Sequence, residues 1–358
     1  MRRLFKKGKL YIALILTAAM LIMSLSACGS SSSSSDTDGA GSSADSSDDA
    51  SDSEELKVLR IAANGATGYP TLELGNLALD AGYLEEELNA VGYTIEWYIF
   101  TSGTEVNEAL ASGEVDAAIY GDFPAFTSKS SGLDVTVVAT TNQRVQYGIL
   151  STSEISSPSD FEGKTVVFVL GSIQQYFWEK YVEVTGIDSD SIEVVGSTDF
   201  ASLLTTGSAD AAPGNLYLEV YMESLGIGTV VEYGSDYDIY TTFVVNVTND
   251  LLEESPEVAV AINKSLIRAY EDAVEDPELL YEAVATETYS VDVMRVQYEW
   301  DETLWYLDPE ISDETFEYYE ELNEWMYENG LISETVDVDS FIDTSYYYQA
   351  LEELEAEE

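Results

Sequence analysis

A nine-residue pattern occurs twice in this sequence, and it restricts the fold more than any other feature. Residues 110–118 (LASGEVDAA) recur as residues 204–212 (LTTGSADAA), an offset of 94 positions (204 minus 110). Each copy indicates a helix that ends at a glycine and is followed by a short apolar strand. Two related strand–helix–strand units predict two similar lobes, each built on a mostly parallel sheet with flanking helices.

The chain around these copies alternates between strand-like and helix-like segments. The apolar runs that predict strands are 58–63, 93–100, 115–120 and 166–170. The predicted helices open at 69–71, 101–104 and 171–176, and two longer ones cover 256–270 and 313–329. Alternation of this kind predicts an α/β fold with ligand-binding loops at the carboxyl ends of the strands.

The first 27 residues are typical of a secretory signal. Five basic residues precede an uncharged, mostly apolar run from Leu10 to Leu25, which is shorter than the roughly 20 residues of a membrane-spanning helix. The run ends in Leu25-Ser26-Ala27-Cys28, and Cys28 is the only cysteine of the chain. This end resembles the bacterial lipobox, which predicts a signal peptide over 1–27 and a lipidated Cys28 that anchors the protein to a membrane. A signal anchor, or a plain signal with an incidental cysteine, is the alternative.

Residues 28–55 are predicted to be a disordered tether behind the lipidated cysteine. They are almost entirely Ser, Asp, Gly, Ala and Glu, and no large apolar side chain occurs before Leu56. Such a segment cannot bury enough apolar surface to offset the entropy lost on ordering.

Composition excludes several kinds of function. The net charge of −54 disfavours nucleic acid as a partner, because phosphate binding needs clustered basic residues. The chain has no histidine, which excludes a Ser-His-Asp triad and histidine-ligated metals. We therefore expect no cofactor, no metal and no enzymatic activity. A glycosidase-like carboxylate pair and calcium binding at 188–190 are alternatives that the abundant acids leave open.

Five sequence elements, in order, carry a resemblance to a known family. They are 59–61 with the glycine-containing loop after it; 112–116 followed by 121–125; 160–166 leading to Gly171-Ser172; 208–211; and 328–332 with 336–338. Together they resemble the nitrate, sulfonate and taurine branch of the substrate-binding proteins of ABC transporters. The resemblance implies a two-lobe, type II periplasmic-binding-protein-like fold. Lobe 1 would comprise 56–142 plus 243–358, and lobe 2 would comprise 143–242.

The resemblance also implies a function. An extracytoplasmic, lipid-anchored and monomeric binding protein would capture a small molecule and deliver it to the permease of an ABC importer. The family favours an oxyanion such as an alkanesulfonate, taurine or nitrate. An aromatic, pyrimidine-like or amine ligand is one alternative, a sensory lipoprotein of the same fold is another, and an extracytoplasmic hydrolase that uses carboxylates is a third.

Candidate ligand-binding residues lie mainly where strands end and helices begin. Backbone N–H groups at a helix start are unpaired and favour anions without any basic side chain. Hydroxyl residues there also serve as ordinary N-caps, and Arg144 has a surface ion pair as its alternative role. The predicted ligand-binding residues are Thr67, Gly68, Ser102, Thr104, Gly121, Asp122, Phe123, Arg144, Ser172, Gln174, Asn215 and Tyr217.

Overall fold

Two mixed β-sheets organise the residues that this computed structural model describes, which are 56–66 and 69–357. The strands within these ranges are β1 (Lys57–Ala66), β2 (Tyr69–Pro70), β3 (Tyr93–Phe100), β4 (Ala117–Gly121), β5 (Val135–Val145), β6 (Tyr147–Ser151), β7 (Thr165–Phe168), β8 (Glu193–Gly196), β9 (Ala211–Asn215), β10 (Thr229–Tyr233) and β11 (Thr241–Thr248).

Helices flank both sheets and form a long carboxyl-terminal extension. They are α1 (Leu74–Asp80), α2 (Tyr83–Ala90), α3 (Gly103–Ser112), α4 (Asp122–Ser130), α5 (Ile173–Thr185), α6 (Phe200–Thr206), α7 (Leu216–Ser224), α8 (Asn249–Glu254), α9 (Glu257–Glu275), α10 (Pro277–Val284), α11 (Val291–Tyr298), α12 (Asp313–Glu328), α13 (Val338–Phe341) and α14 (Ser345–Glu357). Short 3₁₀ segments cover Pro158–Phe161, Ser189–Ser191, Gly234–Tyr237 and Trp300–Leu307. Within the described ranges, no helix is long and apolar enough to cross a membrane.

The two sheets have the same connectivity. In the first, the parallel strands β3, β1 and β4 are followed by β11, which is antiparallel to its neighbours β4 and β5. In the second, the parallel strands β8, β7 and β9 are followed by β6, which is antiparallel to its neighbours β9 and β10. The predicted α/β class, with parallel strands and flanking helices, is confirmed.

The chain crosses between the sheets at two places. It leaves the first sheet at the end of β5 and enters β6 after the single residue Gln146. It returns from β10 to β11 through residues 234–240. The lobe boundaries at 142/143 and 242/243 fall inside β5 and β11, and they stay a prediction.

The internal repeat is a repeat of structure. Shifting β4 and α4 by 94 positions gives the residue ranges of β9 and α7. Gly113 and Gly207 end the preceding helices at φ 71° and 70°, a left-handed conformation that glycine adopts without strain. Asp116 accepts the backbone N–H of Arg60 at 3.0 Å, and Asp210 accepts that of Thr165 at 2.9 Å. The shared Gly and Asp therefore serve the fold, since each holds one lobe's strands in register.

The long helices bury the residues that their periodicity predicts. The predicted core positions of α9 are all at most 2% exposed, namely Val258, Ala261, Ile262, Leu266 and Ala269. On α12, Tyr318, Tyr319 and Met326 are buried, and Trp325 packs beside them. Tyr327, in contrast, is half exposed. The apolar stripe of each helix faces the first sheet, as an amphipathic pattern requires.

The predicted helix start at Tyr69-Pro70-Thr71 is wrong. Residues 69 and 70 form β2, which pairs antiparallel with the end of β1. Thr71 donates its backbone N–H to the carbonyl of Asn64 at 2.7 Å. Glu73 then has φ 54°, which no α-helix allows, so α1 begins only at Leu74. Proline is tolerated both in the first turn of a helix and in an edge strand. Here the segment forms an edge strand because it pairs with β1.

Candidate functional site

Glu73 is the most unusual residue at the carboxyl end of the first sheet. It is 2% exposed and has φ 54° and ψ −122°, a backbone conformation that costs a non-glycine residue of order 1–3 kcal/mol. Its carboxylate accepts hydrogen bonds from the Tyr298 hydroxyl at 2.5 Å and from Asn142 Nδ2 at 3.2 Å. Burial raises the pKa of Glu73 despite both donors. Strained backbone conformations of this kind cluster at ligand-binding sites, so we include Glu73 in the candidate site.

Glu73 acts electrostatically on two tyrosines, Tyr147 of β6 and Tyr217 of α7. Tyr217, in the first turn of α7, packs against the core of the first sheet, and its ring meets Tyr289 edge-on at 5.1 Å between centroids. Burial raises the pKa of Tyr217, with Tyr289 and Glu73 adding to the effect. Burial also raises the pKa of Tyr147 at the start of β6, and Asp122, Tyr217 and Glu73 contribute. Side chains attached to both sheets thus share one buried electrostatic environment.

Glu219 is a buried carboxyl group with one oxygen that lacks a partner among the described residues. It is 1% exposed, and its Oε2 has no hydrogen-bond partner among the described residues. Its carboxyl group lies over Gly214 so closely that a Cβ at Gly214 would collide with it. Burial alone raises the pKa of Glu219 well above its ordinary value. Burying an unpaired acid is costly, and a ligand that brings a hydrogen-bond donor removes that cost.

Gln297 and Asn64 also carry unpaired polar atoms. Gln297 on α11 is 0% exposed, and neither its Oε1 nor its Nε2 has a partner within the described part of the chain. Asn64 near the carboxyl end of β1 has an unpaired, buried Oδ1. Native structures leave few buried polar atoms unpaired, and each one needs an explanation.

Asp122, a predicted ligand-binding residue, is satisfied by the protein itself. Its Oδ2 accepts from the Thr242 backbone N–H at 2.8 Å, from the Thr242 hydroxyl at 3.1 Å and from the Tyr318 hydroxyl at 2.7 Å. Its Oδ1 accepts from the Phe123 N–H at 2.6 Å. Burial outweighs these donors and raises the pKa of Asp122 to about 6. The carboxylate ties the start of α4 to β11 and α12.

Two of the predicted hydroxyl residues, Ser102 and Ser172, act as N-caps in the structure. Ser102 caps α3 in a reciprocal capping box with Glu105, while Thr104 is exposed. Ser172 caps α5, accepting from the Gln174 N–H at 3.2 Å and donating to the Val169 carbonyl at 2.6 Å. Gln174 in turn accepts from the Val169 N–H at 3.1 Å. Their hydrogen bonds are the ones that helix ends ordinarily make.

The remaining predicted loop residues within the described ranges lie at the starts of two helices, α4 and α7. Gly121 precedes α4, and Phe123 meets Trp325 edge-on at 6.3 Å. Tyr176 of α5 meets the same Trp325 at 5.0 Å, so α4, α5 and α12 join in one aromatic cluster. Asn215 occupies the N-cap position of α7 without a side-chain capping bond, next to Tyr217. Thr67, Gly68 and Cys28 lie outside the described residues.

Arg144 forms ion pairs with two acids. Its guanidinium contacts Glu314 and lies 3.5 Å from Asp238. The rings of Tyr240 and Tyr306 lie 4.6 and 4.0 Å from the guanidinium carbon. Two carboxylates and two aromatic faces thus neutralise and cover this cation, while its buried Nε has no hydrogen-bond partner among the described residues.

Sequence reasoning missed Glu73, Glu219 and Gln297. One signal was available for Glu219, because it is the lone charged residue in the apolar run 211–222. Glu73 resembles an ordinary surface acid of a helix start, and Gln297 interrupts no pattern. Within 56–66 and 69–357, no group of three or more acids or other ligands is arranged to hold a metal ion.

Comparisons with known proteins agree with this architecture. A family profile described as "NMT1/THI5 like" matches residues 77–279, more than half of the 358-residue chain. The chain belongs to the NMT1/THI5-like family. This NMT1/THI5-like chain is also similar in fold to a putative periplasmic sulfonate-binding protein of a sulfonate ABC transporter from Methylobacillus flagellatus. The TM-score is 0.74 at 23% identity, over 84% of this chain and 96% of that one.

Two curated relatives of the NMT1/THI5-like chain are binding proteins by name. The formylaminopyrimidine-binding protein of Halalkalibacterium halodurans is 24% identical over 56% of this chain and 62% of its own length. The taurine-binding periplasmic protein of Escherichia coli K12 is 25% identical over 52% of this chain and 60% of its own length. The matches therefore span about three fifths of each relative. The family resemblance and the two-lobe binding-protein fold predicted from the sequence are confirmed.

Proposed function

We propose that this chain is an extracytoplasmic solute-binding lipoprotein that captures a flat, amino-bearing heteroaromatic compound and delivers it to an ABC importer. The carrying observation is Glu219, a buried carboxyl group with an unpaired oxygen at the start of α7. A ligand amino group supplies the donor that the Glu219 Oε2 lacks, and this hydrogen bond removes the cost of leaving a buried oxygen unpaired.

The surroundings of Glu219 favour this alternative over an oxyanion. Glu73, Asp122 and Glu219 are buried carboxyl groups, and any of them that is ionised would repel a neighbouring sulfonate. Arg144, the predicted anion partner, is already paired with acids. Tyr217 and Tyr289 provide aromatic faces, and aromatic pairs stack or meet edge-on with a gain beyond area burial.

The other parts of the proposal follow from the signal sequence and the family. Cys28 carries the lipid anchor, the protein acts as a monomer, and the permease of the importer is its partner. The two binding proteins among the relatives support solute capture without catalysis. A sensory role with the same ligand remains the second candidate, and it predicts binding without uptake.

Calorimetric titration of the purified protein against aminopyrimidines, taurine, alkanesulfonates and nitrate tests the ligand class. We expect an aminopyrimidine to bind, and Glu219→Gln to weaken its binding by roughly twofold to tenfold, as the loss of one hydrogen bond implies. Glu162→Gln, at an exposed position of the second lobe, is the matched control and should bind normally. Binding of sulfonates or nitrate, with no response to aminopyrimidines, would contradict the proposed ligand.

A further inference from the structure

Gln297 is a buried polar side chain that makes no hydrogen bond to the described part of the chain. It is 0% exposed, and both ends of its amide lack partners among the described residues. A glutamine amide offers two donors and two acceptor sites. Leaving a buried donor or acceptor unpaired is destabilising, whereas an apolar residue of similar shape has no such penalty. The position is therefore unfavourable for the empty fold and favourable only if a partner arrives.

The position of Gln297 on α11 directs its side chain toward the junction between the two sheets. Met294 and Tyr298 pack in the core of the first sheet, and Val296 packs against the core of the second. Successive helix residues are roughly 100° apart. With Met294 at 0°, Tyr298 lies near 40°, Val296 near 200° and Gln297 near 300°, each roughly. Gln297 thus lies on the side of α11 between the two packed faces.

The neighbours of Gln297 belong to the candidate site. The next residue, Tyr298, donates its hydroxyl to Glu73. Helix α11 packs against α7, and Tyr289, just before α11, contacts both Tyr217 and Tyr221 with its ring. Helix α11, which carries Gln297, thus adjoins both the Tyr298–Glu73 pair and α7 with its tyrosines.

The chemistry of a double-ended amide selects a specific partner. An oxygen acceptor and an N–H donor side by side complement a donor and an acceptor on adjacent ligand atoms. Glutamine recognises the edge of adenine in the same bidentate manner. A sulfonate or nitrate offers acceptors only, and an alkylammonium offers donors only, so each leaves one end of Gln297 unpaired.

We propose that Gln297 is a specificity-determining residue that pairs through both amide atoms with an adjacent donor–acceptor edge of the ligand. The N–C–NH₂ edge of an aminopyrimidine, or a primary carboxamide, has this arrangement. The inference rests on the proposed function, since it assigns a recognition role within the same binding site. It also narrows the ligand, because aromatic compounds with a lone ring nitrogen or a lone amino group do not complete the pair.

Calorimetric titration of the whole protein with three probes tests this assignment. 4-Aminopyrimidine carries the donor and the acceptor, pyrimidine only the acceptor, and aniline only the donor. We expect wild-type protein to prefer 4-aminopyrimidine over each of the others by roughly tenfold or more, the discrimination expected of one bidentate pair. Gln297→Leu should reduce that preference to about the level expected from stacking alone.

Two further measurements separate recognition from a structural role. The melting temperature of ligand-free Gln297→Leu should equal or exceed that of wild type, because an unpaired amide has been removed. Gln297→Met, which is unbranched like glutamine, serves if the leucine variant does not fold. Gln349→Leu, at an exposed position of α14, is the matched control and should keep the wild-type preference for 4-aminopyrimidine.

The outcomes distinguish this inference from the proposed function. A Gln297 variant that folds and keeps the preference for 4-aminopyrimidine overturns the role of Gln297, and the proposed function stands if Glu219→Gln still weakens binding. If wild-type protein binds none of the three probes, or binds all three equally, both the role of Gln297 and the bidentate pairing are overturned. Binding of taurine alone overturns both.

Discussion

At the residue scale, four buried acids differ in how they are paired. Glu87 contacts the cations Lys264 and Arg268. Asp122 accepts four hydrogen bonds from neutral donors, Glu73 accepts two from described residues, and Glu219 keeps an unpaired oxygen. The first two hold elements together. Glu73 and Glu219 are the two less fully paired acids of the four.

Asp122 should give folding stability a distinctive pH dependence. Its pKa rises from 3.8 to about 6 in the folded protein, so the folded state binds the proton more tightly than the unfolded chain. Its contribution is therefore most favourable below pH 3.8 and is lost as pH rises through about 6. The contribution of Asp122 to the free energy of unfolding changes by about 3 kcal/mol over this pH interval, since one pKa unit corresponds to about 1.4 kcal/mol. Urea unfolding of wild type and Asp122→Asn across this interval measures it.

The difference between wild type and Asp122→Asn isolates this group from the other acids. It should fall steadily between those pH values, because the asparagine does not titrate. A difference that stays constant with pH would show that Asp122 has an ordinary pKa. Asp337→Asn, at an exposed position at the start of α13, controls for the removal of one negative charge.

At the element scale, periodicity predicted the parts of the fold that local sequence determines. The strand at 93–100 and the helices near 256–270 and 313–329 were found because their apolar residues recur with the period of the element. The start of α1 was misplaced because β2 exists only through pairing with β1. Glu73 and Gln297 were missed for the same kind of reason, since their burial depends on elements distant in sequence.

A contact between elements leads to a prediction about α5 and α12. Lys180 of α5 pairs with Glu321 of α12, beside the edge-on contact of Tyr176 with Trp325. Glu321 is mostly exposed, so the pair is worth only about 0.2–1 kcal/mol. Glu321→Ala should lower the free energy of unfolding by about that amount at low salt. The loss should shrink at high salt, as screening predicts.

The control must account for general repulsion, because the chain carries a net charge of −54. Removing any acid relieves part of that repulsion, and Glu324→Ala on the exposed side of the same helix measures it. Denaturant unfolding at two salt concentrations supplies the comparison. Equal stability of the two variants at low salt would mean that the Lys180–Glu321 pair contributes nothing.

At the scale of the whole molecule, the proposed lipidation of Cys28 would determine where the protein acts. The lipobox resemblance implies that Cys28 carries more than one acyl chain. Stable anchoring needs more than one chain or a second signal, so lipidation at Cys28 should hold the protein at the membrane. Cys28→Ser should therefore move the protein from the membrane fraction to the soluble fraction, as immunoblotting of fractionated cells would detect. Ser34→Ala, in the predicted tether, should leave it in the membrane fraction. A Cys28→Ser protein that stays membrane-bound would exclude the lipobox.

The place of β11 in the first sheet has a consequence for how the chain folds during synthesis. β11 lies between β4 and β5, yet its residues 241–248 follow every strand of the second sheet. Chains emerge amino terminus first, so the second sheet has all its strands by residue 233, before the first sheet can close. In that interval β4 and β5 each expose an unpaired edge, which is a site of aggregation. The strong negative charge of the chain then keeps nascent copies apart while the first sheet awaits its last strand.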